Sequence, residues 1–128
     1  MRVLAIAQAR MGSTRLPGKA LLPLAGRPML AHVLTRAKAI PGVDQVVLAT
    51  TTRAEDDPLI ALADSLEVPW LRGPSDDVLG RFLLALDAHP AEIVVRLTGD
   101  CPLLDPAVSG LVLSEYLRLE AEGHPVAY

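Results

Sequence analysis

Residues 8–19 read Gln8-Ala9-Arg10-Met11-Gly12-Ser13-Thr14-Arg15-Leu16-Pro17-Gly18-Lys19. They come directly after the apolar run of residues 3–7, which is typical of a buried β-strand. The stretch holds three cations and no acid, and its two glycines allow positive φ values and a close approach of the backbone to a ligand. A basic, glycine-containing loop after the first strand of an α/β protein favours anion binding, which makes residues 8–19 a candidate phosphate site. A solvated surface loop is the alternative.

Two common phosphate-binding motifs are absent from the chain. Five residues separate Gly12 from Gly18, and Ala20 follows Lys19. A Walker A loop needs four intervening residues and a Ser or Thr after its Lys. No G-x-G-x-x-G occurs either, which excludes the dinucleotide-binding fingerprint.

Length predicts a single domain over residues 1–128, and the resemblance described below implies that it is a nucleotide-binding domain. Hydrophobic residues make up 51% of the chain but aromatic residues only 3%, so the core is expected to consist of Leu, Val, Ile and Ala. A single Cys excludes an internal disulfide, and no apolar run approaches the ~18 residues of a membrane span. The N-terminus has no signal-peptide layout. We therefore expect a cytoplasmic protein with no membrane partner.

The net charge of −3 conceals an uneven distribution. Residues 1–43 hold seven Lys or Arg and no acid, whereas the remaining residues hold five Lys or Arg and all fifteen Asp and Glu. A nucleic-acid-binding protein usually has a net basic surface, so nucleic acid is not expected as a partner. A focused site for a small polyanion fits this distribution better.

Alternation of apolar strands with helical segments predicts the fold class. The strands are expected at residues 3–7, 45–50, 69–71 and 92–97. This alternation favours an α/β fold with three α/β/α layers and a mostly parallel sheet, for which we expect the strand order 3-2-1-4. Ligands bind such sheets at the carboxyl ends of the strands, where the order reverses. The loop of residues 8–19 is then expected beside Gly99 and Asp100, and a further strand is expected from residue 125.

Proline and capping residues predict where the helices begin. The first helix is expected to begin at Pro28, and the second after a cap at Asp57. Ser75 and Asp105 are expected to cap the third and fourth. The expected buried faces of these last two helices consist of Val78, Leu79, Phe82, Leu83 and Leu86, and of Val108, Leu111, Val112 and Leu119.

Asp100 is a candidate magnesium ligand. It follows a strand and a glycine directly, so its carboxylate is expected to point into the crevice. Mg²⁺ usually takes one or two protein carboxylates together with phosphate oxygens and water. A Gly-Asp turn before a helix is the alternative interpretation. Arg96, in the strand before it, is expected to point toward the site or toward a carboxylate, because an unpaired buried guanidinium is costly.

Several motifs, in the same order along essentially the whole chain, resemble those of the cytidylyltransferases that activate sugar acids. The loop of residues 8–19 is the longest of these motifs, and the resemblance is greatest to the branch of spore-coat polysaccharide biosynthesis proteins. The other segments are Pro23-Leu24-Ala25-Gly26-Arg27-Pro28-Met29-Leu30, Ala49-Thr50-Thr51, Gly73-Pro74-Ser75-Asp76-Asp77-Val78-Leu79, and Arg96-Leu97-Thr98-Gly99-Asp100-Cys101-Pro102-Leu103-Leu104-Asp105-Pro106.

The resemblance implies a Rossmann-like nucleotidyltransferase fold and a set of nucleotide-binding residues. Asp100 would bind Mg²⁺, and it would act in catalysis together with Arg10 and Lys19. The implied nucleotide-binding residues of the first loop are Gln8, Ala9, Arg10, Gly12, Ser13, Arg15 and Lys19, of which the three cations would hold the triphosphate.

Two further segments are implied to complete the nucleotide pocket. Ala49, Thr50 and Thr51 would lie against the cytosine of CTP. Asp77 and Arg81, one helical turn apart, would help to close the pocket. A surface ion pair between these last two residues is the alternative.

The implied reaction is Mg²⁺-dependent transfer of CMP from CTP to a sugar acid or related sugar, for surface polysaccharide synthesis. The resemblance also implies a homodimer. It implies as well that relatives run on well past Tyr128 and there supply a second metal-binding aspartate and much of the sugar pocket. A C-terminally shortened chain that is inactive alone is therefore an expectation.

Two other functions stay open. One is a nucleotide-sugar-dependent glycosyltransferase, although such enzymes often carry Asp-x-Asp at the metal where this chain has Asp100-Cys101-Pro102. The other is a non-catalytic nucleotide-binding or assembly protein. The residues do not identify the sugar acceptor, and they do not distinguish CTP from another nucleotide.

Overall fold

A computed structural model describes residues 1–124 of the chain, so the strand expected from residue 125 lies outside the described residues. A four-stranded sheet forms its centre, and within residues 1–124 no helix is long and apolar enough to cross a membrane. The elements in chain order are β1 (Val3–Gln8), β2 (Pro23–Leu24), β3 (Arg27–Pro28), α1 (Met29–Lys38), β4 (Gln45–Thr51), α2 (Asp57–Ser65), β5 (Trp70–Gly73), α3 (Val78–Ala88), β6 (Ile93–Thr98) and α4 (Pro106–Ala121).

The central sheet has the order β5-β4-β1-β6, and every pair in it is parallel. This order confirms the predicted 3-2-1-4 arrangement of the four long strands. β1 lies between β4 and β6, with Ala5 opposite Val46 on one side and Val95 on the other. Because both of its faces are covered by helices, β1 is a continuous apolar run rather than an alternating one.

Helices cover both faces of the sheet, which confirms the three predicted layers. Side chains that alternate along β1 pack into different clusters. Ala5 and Ala7 pack with Leu34 of α1 and Leu59 of α2, and Val3, on the same face, packs with Leu113 of α4. The opposite face of β1 packs against Ala85 of α3.

A short hairpin stands where the sequence predicted the start of the first helix. β2 and β3 pair in antiparallel fashion across Ala25 and Gly26, whose φ values are 51° and 79°. Positive φ at both central residues is the geometry of a tight two-residue hairpin turn. Helix α1 therefore begins at Met29, and Pro28 precedes the helix instead of opening it.

Two of the predicted helix caps were placed at the wrong residue. The residue before α2 is Asp56, and the predicted cap Asp57 is the first residue of the helix. Helix α3 is capped by Asp77, whose carboxylate accepts a hydrogen bond from the Gly80 N–H at 2.9 Å, and not by Ser75. The predicted cap at Asp105 is confirmed, since its carboxylate accepts from the backbone N–H groups that begin α4.

The predicted buried faces of α3 and α4 are largely wrong. In α3, Arg81 and Ala85 face the interior and Phe82 and Leu86 are partly buried, whereas Leu79 is 69% exposed. Val78 and Leu83 are also exposed, as are Val108, Leu111 and Val112 of α4. In α4 the buried positions are Gly110 and Leu113, and Leu119 is half-buried. Apolar residues surround much of both helices, so their spacing alone does not identify the face that contacts the sheet.

Candidate nucleotide-binding site

The candidate site lies where β1 and β6 end side by side. The Gly99 N–H donates to the Gln8 carbonyl at 2.8 Å, which extends the pairing of the two strands beyond β6. A Cβ on Gly99 would lie 2.7 Å from Ala9 Cβ, so only glycine allows this approach. The sheet order therefore brings the loop after β1 against the loop after β6, as the sequence predicted.

The loop of residues 8–19 is closed at its base by backbone hydrogen bonds. The Gly18 N–H donates to the Met11 carbonyl at 2.9 Å, and Gly18 has a φ of 73°. Inside the loop, the Leu16 N–H donates to Ser13 Oγ at 3.2 Å. These bonds form a compact loop from residues 11–18, which belong to no regular helix or strand, consistent with an anion-binding loop.

A cleft of about 400 Å³ opens between the two loops. Eight residues that the sequence predicted for the site line it: Gln8, Ala9, Arg10, Gly12, Ser13, Arg15, Lys19 and Asp100. Arg10 and Arg15 are exposed. The cations of the loop thus share one opening with the single carboxylate among the lining residues.

Lys19 and Asp100 form an ion pair across this cleft, with Lys19 Nζ 3.5 Å from Asp100 Oδ2. The Thr98 hydroxyl lowers the pKa of the Asp100 carboxyl most strongly, and Lys19 also lowers it, against the opposing effect of burial. The side chain of Asp100 is 54% exposed. Asp100 is therefore an ionised carboxylate that an incoming cation or ligand can reach.

The segment predicted to contact cytosine lies beneath the cleft. The residues Ala49, Thr50 and Thr51 form the end of β4, and all three are fully buried. The Ala49 carbonyl accepts from the Ala9 N–H at 3.2 Å, and the Thr51 hydroxyl donates to Asp56. Ala49 and, through Asp56, Thr51 are thus hydrogen-bonded to the loop, and none of the three residues is among those that line the opening.

Asp77 and Arg81 are also not among the residues that line the cleft. Arg81 is only 1% exposed, so the alternative of a surface ion pair with Asp77 is wrong. Its Nη1 atom donates to the carbonyls of Pro74 at 2.7 Å and Ser75 at 3.1 Å. Burial, followed by the charge of Arg10, lowers the pKa of Arg81. Arg81 thus fixes the 74–75 segment through its two carbonyls, and Asp77 caps α3.

Arg96 lines the cleft, which confirms its predicted orientation toward the site. Its guanidinium carbon lies 5.4 Å from the centroid of the Phe82 ring.

Several other lining residues were not predicted from the sequence. Thr98 faces the same side as Arg96, because it lies two positions further along β6. This alternation is a signal that identifies Thr98 in advance. The lining residues without such a signal are Ala20 and Met29, whereas Thr14 belongs to the loop predicted as the phosphate site.

A metal site made by the protein alone does not occur within residues 1–124, where no group of three or more His, Cys, Asp or Glu side chains could hold an ion. Asp100 offers one ionised carboxylate beside the basic loop. Mg²⁺ that is bound mainly through substrate phosphates needs only one or two such ligands. The side chains present therefore fit a Mg²⁺ ion that arrives with a nucleoside triphosphate.

Comparison with known proteins agrees with this geometry. The chain is 44% identical over 98% of its length to the 3-deoxy-manno-octulosonate cytidylyltransferase of Anaeromyxobacter sp., and covers 52% of it. It is 36% identical over 89% of its length to the spore coat polysaccharide biosynthesis protein SpsF of Bacillus subtilis, and covers 49% of it. The chain thus spans about half the length of the curated relatives it matches.

A solved structure has the same fold. It is that of CMP:2-keto-3-deoxy-manno-octonic acid synthetase complexed with CTP, which matches with a TM-score of 0.80 and 28% identity over 92% of this chain and 48% of that one. The family model described as Cytidylyltransferase matches residues 4–122. A basic loop at the end of β1, a carboxylate at the end of β6 and this match over nearly the whole chain lead to one conclusion: the protein belongs to the cytidylyltransferase family.

Proposed function

We propose that this chain binds CTP together with Mg²⁺ in the cleft between the 8–19 loop and Asp100, and that it serves the transfer of CMP to a sugar acid. The observation that carries the proposal is the ion pair of Lys19 and Asp100 at 3.5 Å, inside a cleft whose other charged lining residues are all arginines. A triphosphate and its metal need a cation and a carboxylate in this arrangement. The family membership supports CTP as the nucleotide.

The triphosphate is assigned to the basic loop. Arg10, Arg15 and Lys19 supply positive charge around the opening, and the backbone near Gly12 and Ser13 supplies N–H donors. Lys19 exchanges its contact with Asp100 for phosphate oxygens when the nucleotide enters. The positive charge of residues 1–43 also attracts a polyanion to this part of the surface.

The acceptor reacts through one of its hydroxyl oxygens. That oxygen forms a bond to the α-phosphorus of CTP, the bond from this phosphorus to the β-phosphate bridging oxygen breaks, and pyrophosphate leaves. The hydroxyl proton passes to solvent. Mg²⁺, when bound, neutralises charge on the phosphates. The chain itself orients the phosphates and stabilises charge, and its cleft offers cations for both tasks.

The sugar acid is inferred from the relatives, among them a 3-deoxy-manno-octulosonate cytidylyltransferase. Because the chain spans about half the length of such relatives, nucleotide binding and turnover are separate parts of the proposal. The second candidate is a protein that binds the nucleotide but does not catalyse transfer. The match to only about half of each relative is the observation that favours this candidate. A cytoplasmic location and a homodimer stay predictions.

Thermal unfolding with Mg²⁺ and each of the four ribonucleoside triphosphates tests the nucleotide half of the proposal. A ligand at one hundred times its Kd adds about 2.7 kcal/mol to the free energy of unfolding, so we expect a clear rise in Tm with CTP and little with the others. No shift with any triphosphate at millimolar concentration would contradict the proposal.

Pyrophosphate release from CTP and 3-deoxy-manno-octulosonate then tests the transfer. Release above the rate without acceptor supports the enzyme. CTP binding without release supports the second candidate. An Arg118→Ala variant serves as a control in both assays, since Arg118 pairs with Glu115 of α4 and with Glu122 just after it, outside the cleft.

A further inference from the structure

Asp56 is a buried carboxylate that does not cap the helix it precedes. It is fully buried and directly precedes α2, where an Asp usually caps the helix. Asp77 and Asp105 cap α3 and α4 through their side chains in this way. The side chain of Asp56 makes no capping hydrogen bond to α2. Its carboxylate is therefore available for another contact.

That contact is with the loop of residues 8–19. Asp56 Oδ1 accepts a hydrogen bond from the Met11 N–H at 2.7 Å, across 45 positions of the chain. Asp56 Oδ2 accepts from the Thr51 hydroxyl, which in turn accepts from the Arg53 N–H at 3.2 Å. The carboxylate thus connects the loop to the end of β4.

Met11 is the residue through which the loop closes. Its carbonyl accepts from the Gly18 N–H, and its N–H donates to Asp56. The two ends of the closed segment, residues 11 and 18, are joined to one another, and residue 11 is joined to the sheet through Asp56. A change in the position of Asp56 would therefore move the whole closed loop.

We propose that Asp56 is a positioning residue that holds the 8–19 loop in the conformation that binds a triphosphate. The inference rests on the proposed function of that loop. Asp56 touches neither the cleft nor the ligand, and it acts through the Met11 backbone. Without this anchor the closed segment from Gly12 to Pro17 would keep its internal bonds but lose its fixed position over the ends of β1 and β6.

Two further observations support a link between the 8–19 loop and the turn before α2. Glu55 Oε1 lies 3.1 Å from the place where a Cβ on Gly12 would stand, so the turn before α2 contacts the loop at a second point. Burial lowers the pKa of Arg81 most strongly, the charge of Arg10 lowers it further, and the charge of Asp56 opposes both effects. Burying a carboxylate is costly unless its bonds are made, which ties the placement of the loop to that of α2.

Hydrogen exchange in the ligand-free protein tests the anchor without reference to CTP. We expect the Met11 amide to exchange about tenfold or more slowly than the amides of Gly12 and Ser13, although all three lie in the same loop. Equal exchange at these three amides would overturn the inference. This measurement needs no variant, so it does not depend on whether a substituted protein folds.

Substitutions then test the effect on binding. Asp56→Ala removes both hydrogen bonds. We expect it to lower the affinity for CTP and for inorganic tripolyphosphate about tenfold, while the affinity for cytidine changes little. Asp56→Asn keeps an acceptor for Met11 and a donor for the Thr51 hydroxyl, and is expected to recover most of this loss. Asp57→Ala is the matched control, since it removes a neighbouring carboxylate that is 65% exposed and pairs with Arg72 at 2.7 Å.

The outcomes separate this inference from the proposed function. If the wild-type protein binds CTP and Asp56→Ala binds it equally well, positioning by Asp56 is wrong and the function stands. Equal loss in the Ala and Asn variants would also overturn positioning through hydrogen bonds. If the wild-type protein binds neither CTP nor tripolyphosphate, the proposed function fails and the inference fails with it, whereas the slow exchange of Met11 would still establish the contact.

Discussion

Lys19 and Asp100 lie 81 positions apart in the chain, yet Lys19 Nζ is 3.5 Å from Asp100 Oδ2. The loops after two adjacent parallel strands carry them, and the carboxyl ends of such strands meet at one edge of the sheet. Both side chains are partly exposed, so the ion pair itself adds little stability. Its significance is the placement of a cation and a carboxylate side by side in a cleft whose other charged lining residues are arginines.

Removal of the Lys19 charge is expected to affect phosphate binding selectively. Lys19→Ala should weaken CTP binding about tenfold, and CMP binding clearly less, because its ammonium is assigned to the outer phosphates. Titration calorimetry with both nucleotides measures the two losses. Lys38→Ala is the control, since Lys38 Nζ donates to the Leu66 carbonyl at 3.0 Å, outside the cleft. Equal losses for CTP and CMP would contradict the assignment.

Replacement of Asp100 tests whether its carboxylate binds Mg²⁺. Asp100→Asn keeps the shape of the side chain but removes its charge, so CTP binding should lose its dependence on Mg²⁺. Affinity measured over a range of Mg²⁺ concentrations, with Asp87→Asn as the control on the exposed side of α3, checks this. An unchanged Mg²⁺ dependence in Asp100→Asn would place the metal elsewhere.

The close approach at Gly99 predicts a loss of stability. A Cβ there would lie 2.7 Å from both Ala9 Cβ and the Gln8 carbonyl oxygen. Gly99→Ala should therefore lower the free energy of unfolding by about 1–3 kcal/mol, since the ends of β1 and β6 must separate. Urea denaturation measures this change in the free energy of unfolding. Gly12→Ala meets only the flexible end of Glu55, and a similar loss in that variant would show that the crowding at Gly99 is not the cause.

The cap of α3 predicts a difference between two nearby residues. Asp77→Ala should lower the free energy of unfolding by about 1 kcal/mol, because it removes the acceptor for the Gly80 N–H. Ser75→Ala should change stability by less than about 0.5 kcal/mol, since Ser75 accepts from Arg81 through its backbone carbonyl, which the substitution keeps. Thermal or urea unfolding of the two variants checks this, and a larger loss at Ser75 would contradict the observed cap.

Much of the site followed from the sequence because its residues stand at the ends of strands. The 8–19 loop and Asp100 follow apolar runs that period and length identify as strands, and the rule for parallel sheets brings their carboxyl ends together. The same rule missed Asp56, which looks like a helix-capping residue beside Asp57. Only the fold shows that its carboxylate contacts Met11 instead.

The sequence by itself determined the fold class and the basic loop, because local periodicity, turn residues and charge are properties of neighbouring positions. The strand order followed from the general rules for connecting parallel strands. Only the tertiary structure decided which side of α3 and α4 meets the sheet. Arg81 is buried while Leu79 and Leu83 of the same helix are exposed, and the Thr51 side chain lies under the cleft rather than in it. Burial depends on where an element docks, and docking is set by contacts between residues far apart in the chain.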